Sequence, residues 1–178
     1  MLLGRAAVLV LLAGCPSNDD SDACDVDAST EMMLVYANQL GVTADFADGA
    51  SLPLVAAPQG GHILLVAPAI RVAGSCSVQI NAALRDPASG RVIGLEERPL
   101  MLVAHDGWAR PPAAAGLSDL ANVAVCPTSA VTTPIFDHPY QLELQILDAD
   151  GHPVCERTAM VVPTCDDEYC RTDCGALP

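Results

Sequence analysis

The clearest signal in the chain is an alternation of apolar and polar residues. In Gln141-Leu142-Glu143-Leu144-Gln145-Ile146-Leu147 an apolar side chain falls at nearly every second position. A period of two sends one set of side chains to a core and the other to water, which predicts a half-buried strand. Asp148-Ala149-Asp150-Gly151 supplies a turn, and residues 154–162 return as the second strand of a hairpin. Residues 76–84 alternate in the same manner, Asp86-Pro87-Ala88-Ser89-Gly90 turns, and residues 91–94 begin the way back. Apolar runs at 33–36, 52–55, 62–72 and 99–104 complete the set, with Pro53 suiting its run to a sheet edge. Residues 113–120 allow only a short helical turn, because Pro111-Pro112 precede them and Gly116 interrupts. About eight short strands with Gly, Pro and Asp between them predict an all-β, antiparallel two-sheet sandwich over residues 31–163.

The first residues follow a different pattern. Arg5 is followed by an unbroken apolar run from Ala6 to Ala13, then Gly14 and Cys15. One positive charge, a short apolar stretch and small residues form the layout of a secretory signal. The run is too short for a bilayer-spanning helix, which needs about 20 residues. Leu12-Ala13-Gly14-Cys15, at the end of the run, resembles the bacterial lipobox. That resemblance implies cleavage after residue 14 and acylation of the Cys15 thiol; two or more acyl chains hold a protein stably on a membrane. Residues 15–30 then read as the lipidated cysteine and an acidic, self-repelling tether that opens Pro16-Ser17-Asn18-Asp19-Asp20. Pro16-Ser17 is not an aspartate-type retention signal, so the expected address is the outer membrane.

Pro58-Gln59-Gly60-Gly61-His62, Leu84-Arg85-Asp86 with Ser89-Gly90, and Leu147-Asp148-Ala149-Asp150-Gly151 stand at strand–turn junctions. In these soft motifs the body of the chain resembles the immunoglobulin-like domains of envelope lipoproteins from GC-rich Gram-negative bacteria. The resemblance implies an immunoglobulin-like sandwich and, by itself, no activity. The chain departs from antibody-type domains in lacking a tryptophan between two suitably spaced cysteines; Trp108 is expected in a loop or at a strand start.

Composition removes several functions. Without residues 1–14 the chain keeps 22 acidic and 7 basic side chains, a net charge of −15, and every basic residue is Arg. Nucleic-acid binding draws on phosphate neutralisation by basic groups, and docking on anionic lipid draws on the same charges. Neither fits. Six aromatic residues in 178 leave the core aliphatic and argue against an aromatic carbohydrate platform.

Beyond Cys15 there are seven cysteines: Cys24, Cys76, Cys126, Cys155, Cys165, Cys170 and Cys174. In an oxidising compartment these are disulfide candidates, and an odd number leaves one unpaired. If strands simply alternate up and down, Cys76 pairs with Cys155 and Cys126 with Cys165, while Cys24 joins Cys170 or Cys174. The Cys/Asp-rich tail, residues 164–178, also offers metal ligands. Its cysteine gaps of four and three are unlike usual zinc spacing, and a fourth ligand would have to come from elsewhere, Cys24 or His152 being candidates. A disulfide-clamped tail is the preferred reading, and no metal or other cofactor is assigned.

Asp148-Ala149-Asp150-Gly151 lacks the twelfth-position Glu of an EF-hand and reads as a turn. His62, His105, His138 and His152 are scattered and expected at the surface or in loops. No serine lies in a G-x-S-x-G elbow, and no catalytic set is found. The expectation is a non-enzymatic, lipid-anchored envelope protein that presents a binding or structural surface, with 106–116 and 127–139 as its long loops and its protein partner open. The alternative is a metal- or small-ligand-binding protein that uses the tail.

Overall fold

The computed structural model describes residues 23–127 and 133–175. Among the described residues eleven strands follow in order: β1 Met32–Ala37, β2 Thr43–Phe46, β3 Ala50–Pro53, β4 Val55–Ala56, β5 His62–Ile70, β6 Cys76–Arg85, β7 Val92–His105, β8 Trp108–Arg110, β9 Ala121–Cys126, β10 Tyr140–Leu147 and β11 Pro153–Thr164. A 3-10 turn, Leu117–Asp119, precedes β9, and a short helix, α1 Glu168–Asp173, follows β11.

The strands do not form the expected two-sheet immunoglobulin-like sandwich. They form one mixed sheet in the order β2-β1-β5-β8-β7-β6-β10-β11-β3, with β4 and β9 also on β5, curled into a nearly closed barrel. The reason lies in β7. Its sequence reads as two short strands, yet Leu95-Glu96-Glu97-Arg98 stay in register with Ala83, Ala82, Asn81 and Ile80 of β6. Beyond Leu102 the same strand pairs with β8, Val103 opposite Arg110 and His105 opposite Trp108. One continuous strand thus joins what two separate sheets would have divided. Pro99 is tolerated within it because from Val92 to Leu102 β6 is the only ladder partner.

The gap in the barrel is crossed by the chain itself. β2 lies on β1 at one limit of the sheet and β3 runs parallel to β11 at the other. The turn between them is tied to β11: Gly49 N donates to Met160 O at 2.7 Å, and Asp48 Oδ1 accepts from Met160 N at 2.7 Å.

Where alternation is clean, burial follows it. Leu142, Leu144 and Ile146 point inward from β10, opposite Leu84, Ala82 and Ile80 of β6. The opposite face carries a polar row: Asn81 donates to Gln145 at 3.1 Å and Gln145 to Glu156 at 2.8 Å. All nine residues of β5 are buried, as its near-continuous apolar run demands of a strand covered on both faces. β2, β8, β9 and α1 lie outside the strands expected from sequence.

Gly94 marks a close approach of β7 to β9. A Cβ there would stand 2.3 Å from Ala124 O and 2.9 Å from Val123 Cγ1. Gly94→Ala is therefore expected to cost about 1–3 kcal/mol through forced separation of the two strands. A urea denaturation series checks this, and an unchanged midpoint would mean that β7 and β9 part freely.

Candidate functional site

The ladder registers sort the cysteines to two ends of the barrel. Cys76 is opposite Leu102, and Leu147 is opposite both Gln79 and Pro153, so these residues share one end. Arg85 opposite Val92 and Tyr140 opposite Val161 define the other. β8 carries the comparison to β5: Ala109 is opposite Ala104 and Ile70, which leaves His62 and its partner Cys126 at the second end.

At the first end Ala23 pairs in parallel with Ser77, and Cys24 N donates to Ser77 O at 2.9 Å. This lays the N-terminal segment along the start of β6 and bonds Cys24 to Cys76. The expected Cys76–Cys155 pair does not form. β10 stands between β6 and β11, with Ile146 opposite both Ile80 and Cys155. Two strand spacings are roughly 9–10 Å, beyond the Cα separation a disulfide spans.

Cys155 is left free and buried, its Sγ 3.6 Å from Thr30 O, and burial pushes its thiol above the usual range. A native Cys15→Ser chain is accordingly expected to resist alkylation at mildly alkaline pH and to expose a single thiol on denaturation. Labelling at an equal rate in both states would contradict the burial of Cys155.

The second end holds the remaining four. Cys126 is bonded to Cys174 and Cys165 to Cys170, replacing the expected Cys126–Cys165 pair and the link from Cys24 to the tail. The local cause is α1. Asp167 caps it by accepting from Cys170 N at 2.8 Å, which turns the chain back so that Cys170 meets Cys165. Cys174 N then donates to Cys170 O, and Cys174 O accepts from Ile135 N at 2.9 Å. Arg171 reaches back to Cys165 O at 3.1 Å and lies over the Phe136 ring.

Beneath this clamp lies His62, 1% exposed. It follows Gly61, whose φ of +77° and whose Cβ position 2.3 Å from Cys126 O both require glycine. Asp173 Oδ2 is 3.4 Å from Nδ1, and the Tyr169 ring centroid is 5.4 Å away. Among the described residues, neither ring nitrogen has a hydrogen-bond partner. A buried group left so costs about 1–3 kcal/mol. A ring nitrogen of His62 and the sulfurs of Cys170 and Cys174 lie within 4.8 Å of one another. His62 thus departs from the surface placement expected of the histidines, whereas His105, His138 and His152 are exposed.

Asp148, Asp150 and His152 also bring ligand atoms within 4.8 Å of one another, all exposed. Here the turn accounts for the geometry. Asp148 Oδ1 accepts from His152 N at 2.8 Å and Asp150 N at 2.9 Å, and these bonds hold its carboxyl below the usual range.

The two long loops are less free than their length suggests. In the first, Thr43 N donates to Ala113 O and Ala115 N to Gly41 O, pinning it to the β1–β2 turn. In the second, Asp137 N donates to Pro163 O, while residues 128–132 lie outside the described part. Cys15 also lies outside it. A cleft of about 500 Å³ opens at the first end beside Cys24, lined in part by Val26, Gln79, Pro99 and Leu147. No protein-family model matches this chain, and no curated protein or solved structure matches it.

Proposed function

We propose that this chain is an exported lipoprotein of the outer membrane: a non-enzymatic module held by acyl chains on Cys15 that presents the clamped end of its barrel to a binding partner. The observation that carries this reading is the position of Cys15 relative to Cys24. Nine Cα steps separate the lipobox cysteine from a cysteine bonded to the first end of the barrel. Fully extended, that length spans only about 30 Å. The first end then faces the bilayer, and the Cys126–Cys174 and Cys165–Cys170 bridges lie at the far end. Three disulfides are consistent with export to an oxidising compartment.

A strong acidic balance keeps such a surface away from anionic headgroups. At the far end, α1 exposes over half of the Tyr169 surface and carries Arg171 over the Phe136 ring, an aromatic and a guanidinium of the kind that anchor protein interfaces. The experiment is fractionation of cells that make the native chain or Cys15→Ser, followed by crosslinking in the envelope. The native chain is expected in the membrane fraction and Cys15→Ser in the soluble fraction. A partner enriched with the first and lost with the second supports presentation at the membrane. Equal soluble recovery of both forms would overturn the lipid anchor.

A further inference from the structure

We infer that the clamped end has a second state, in which Cys170, Cys174 and His62, joined by Cys126 or Cys165, bind a thiophilic cation such as zinc. The inference starts from His62. A histidine 1% exposed whose ring nitrogens find no partner among the described residues is rare without a ligand to complete it. The atoms around it are soft donors: the Cys170 and Cys174 sulfurs lie close to its ring, each bonded to a further buried sulfur, of Cys165 and Cys126. Tetrahedral coordination at ordinary zinc–sulfur and zinc–nitrogen lengths separates ligand atoms by about 3.5–3.8 Å. The His62, Cys170 and Cys174 ligand atoms, within 4.8 Å of one another, need to close by only about 1 Å to reach that geometry.

Two neighbours suit the loaded state. Asp173, 3.4 Å from Nδ1, is placed to orient the imidazole, as carboxylates behind metal-bound histidines do. Arg171, held at Cys165 O, brings a positive charge towards the thiolates. The backbone bonds from Ile135 N to Cys174 O and from Cys174 N to Cys170 O do not depend on either bridge, so they can hold the tail in place when the bridges open.

Oxidised, the sulfurs are neutral and bonded in pairs, and they offer His62 nothing. Opening each bridge takes two electrons and two protons from a thiol reductant, which is itself oxidised to a disulfide. The cation then displaces thiol protons to solvent and binds the thiolates. A chain exported with reduced thiols reaches the same state directly, and the cation then competes with oxidation.

The test uses the full mature chain in detergent, reduced anaerobically with a phosphine that leaves as its oxide, and titrated with zinc alone against a chromophoric chelator. A parallel titration with cobalt(II) reads thiolate-to-metal charge transfer. About one ion per chain is expected, with thiolate bands in the cobalt form. His62→Gln and Cys170→Ser should each weaken binding at least about tenfold. The Cys24→Ser/Cys76→Ser and Cys155→Ser variants, which remove the other thiols, should bind as the native chain does. Zinc-loaded chain exposed to air should retain free thiols at Cys126, Cys165, Cys170 and Cys174 in a non-reducing peptide map. If reduction unfolds the tail, recovery of the native circular dichroism on adding zinc supports the site. Failure to bind, failure to recover, or equal affinity in His62→Gln overturns it.

Discussion

Serine at both Cys126 and Cys174 is expected to lower the free energy of unfolding by about 4 kcal/mol, against about 2 kcal/mol for serine at both Cys165 and Cys170. The difference follows from the chain each bridge closes. Cys126 and Cys174 are 48 residues apart and Cys165 and Cys170 only 5, so the first removes far more freedom from the unfolded chain. The longer bridge also ties the tail to the end of β9, where Cys126 lies opposite His62. Losing it leaves the tail held at this end by backbone bonds such as Ile135 N to Cys174 O, whereas losing the shorter one leaves a covalent tie to β9. Urea unfolding of the three oxidised proteins checks the order. Equal losses would show that native-state strain or residual structure in the unfolded chain outweighs loop length.

Leu144→Ala is expected to cost about 3 kcal/mol, within the usual 2–5 kcal/mol range for large-to-small core changes. Leu144 is fully buried in the middle of β10, the strand that joins β6 to β11. Its neighbour across the ladder is Ala82, also fully buried, whose single methyl cannot move to fill the space. The substitution therefore leaves most of the cavity open, and the loss combines reduced transfer free energy with lost contacts. Leu144→Met, which conserves volume, should cost less than about 1.5 kcal/mol. Comparable losses for the two would point to a backbone rearrangement of β10 in place of a cavity.

These outcomes separate what is local in this protein from what is not. The strands β6 and β10 were legible from alternation, because a side-chain period of two is a property of the strand alone, and β11 was legible as the return from the Asp148–Gly151 turn. The apolar run over residues 62–72 likewise read as a strand, and the structure buries all nine residues of β5. The number of sheets was not legible in that way. It turned on Leu95-Glu96-Glu97-Arg98, whose mixed pattern reads as a break, yet which β6 holds in an unbroken ladder. Short strands such as β2 and β8 gain their conformation from partners already in place, so their sequences carry little signal of their own.

The site divides along the same line. The seven cysteines and their odd number could be counted in the sequence, as could the unusual density of the tail. Which sulfur meets which could not, because it depends on β10 lying between Cys76 and Cys155 and on α1 folding Cys170 back to Cys165. The tail seemed short of a ligand, with Cys24 and His152 as remote candidates. In the fold both sit at the opposite end, and the histidine beside the tail is His62, about a hundred residues upstream. The sequence by itself determined the apolar periodicity, the acidic charge, the lipobox-like Leu12-Ala13-Gly14-Cys15 and the stock of thiols, all readable over a few residues. Only the tertiary structure decided the single curled sheet, the disulfide pairing and the burial of His62, because each depends on contacts between segments far apart in the chain.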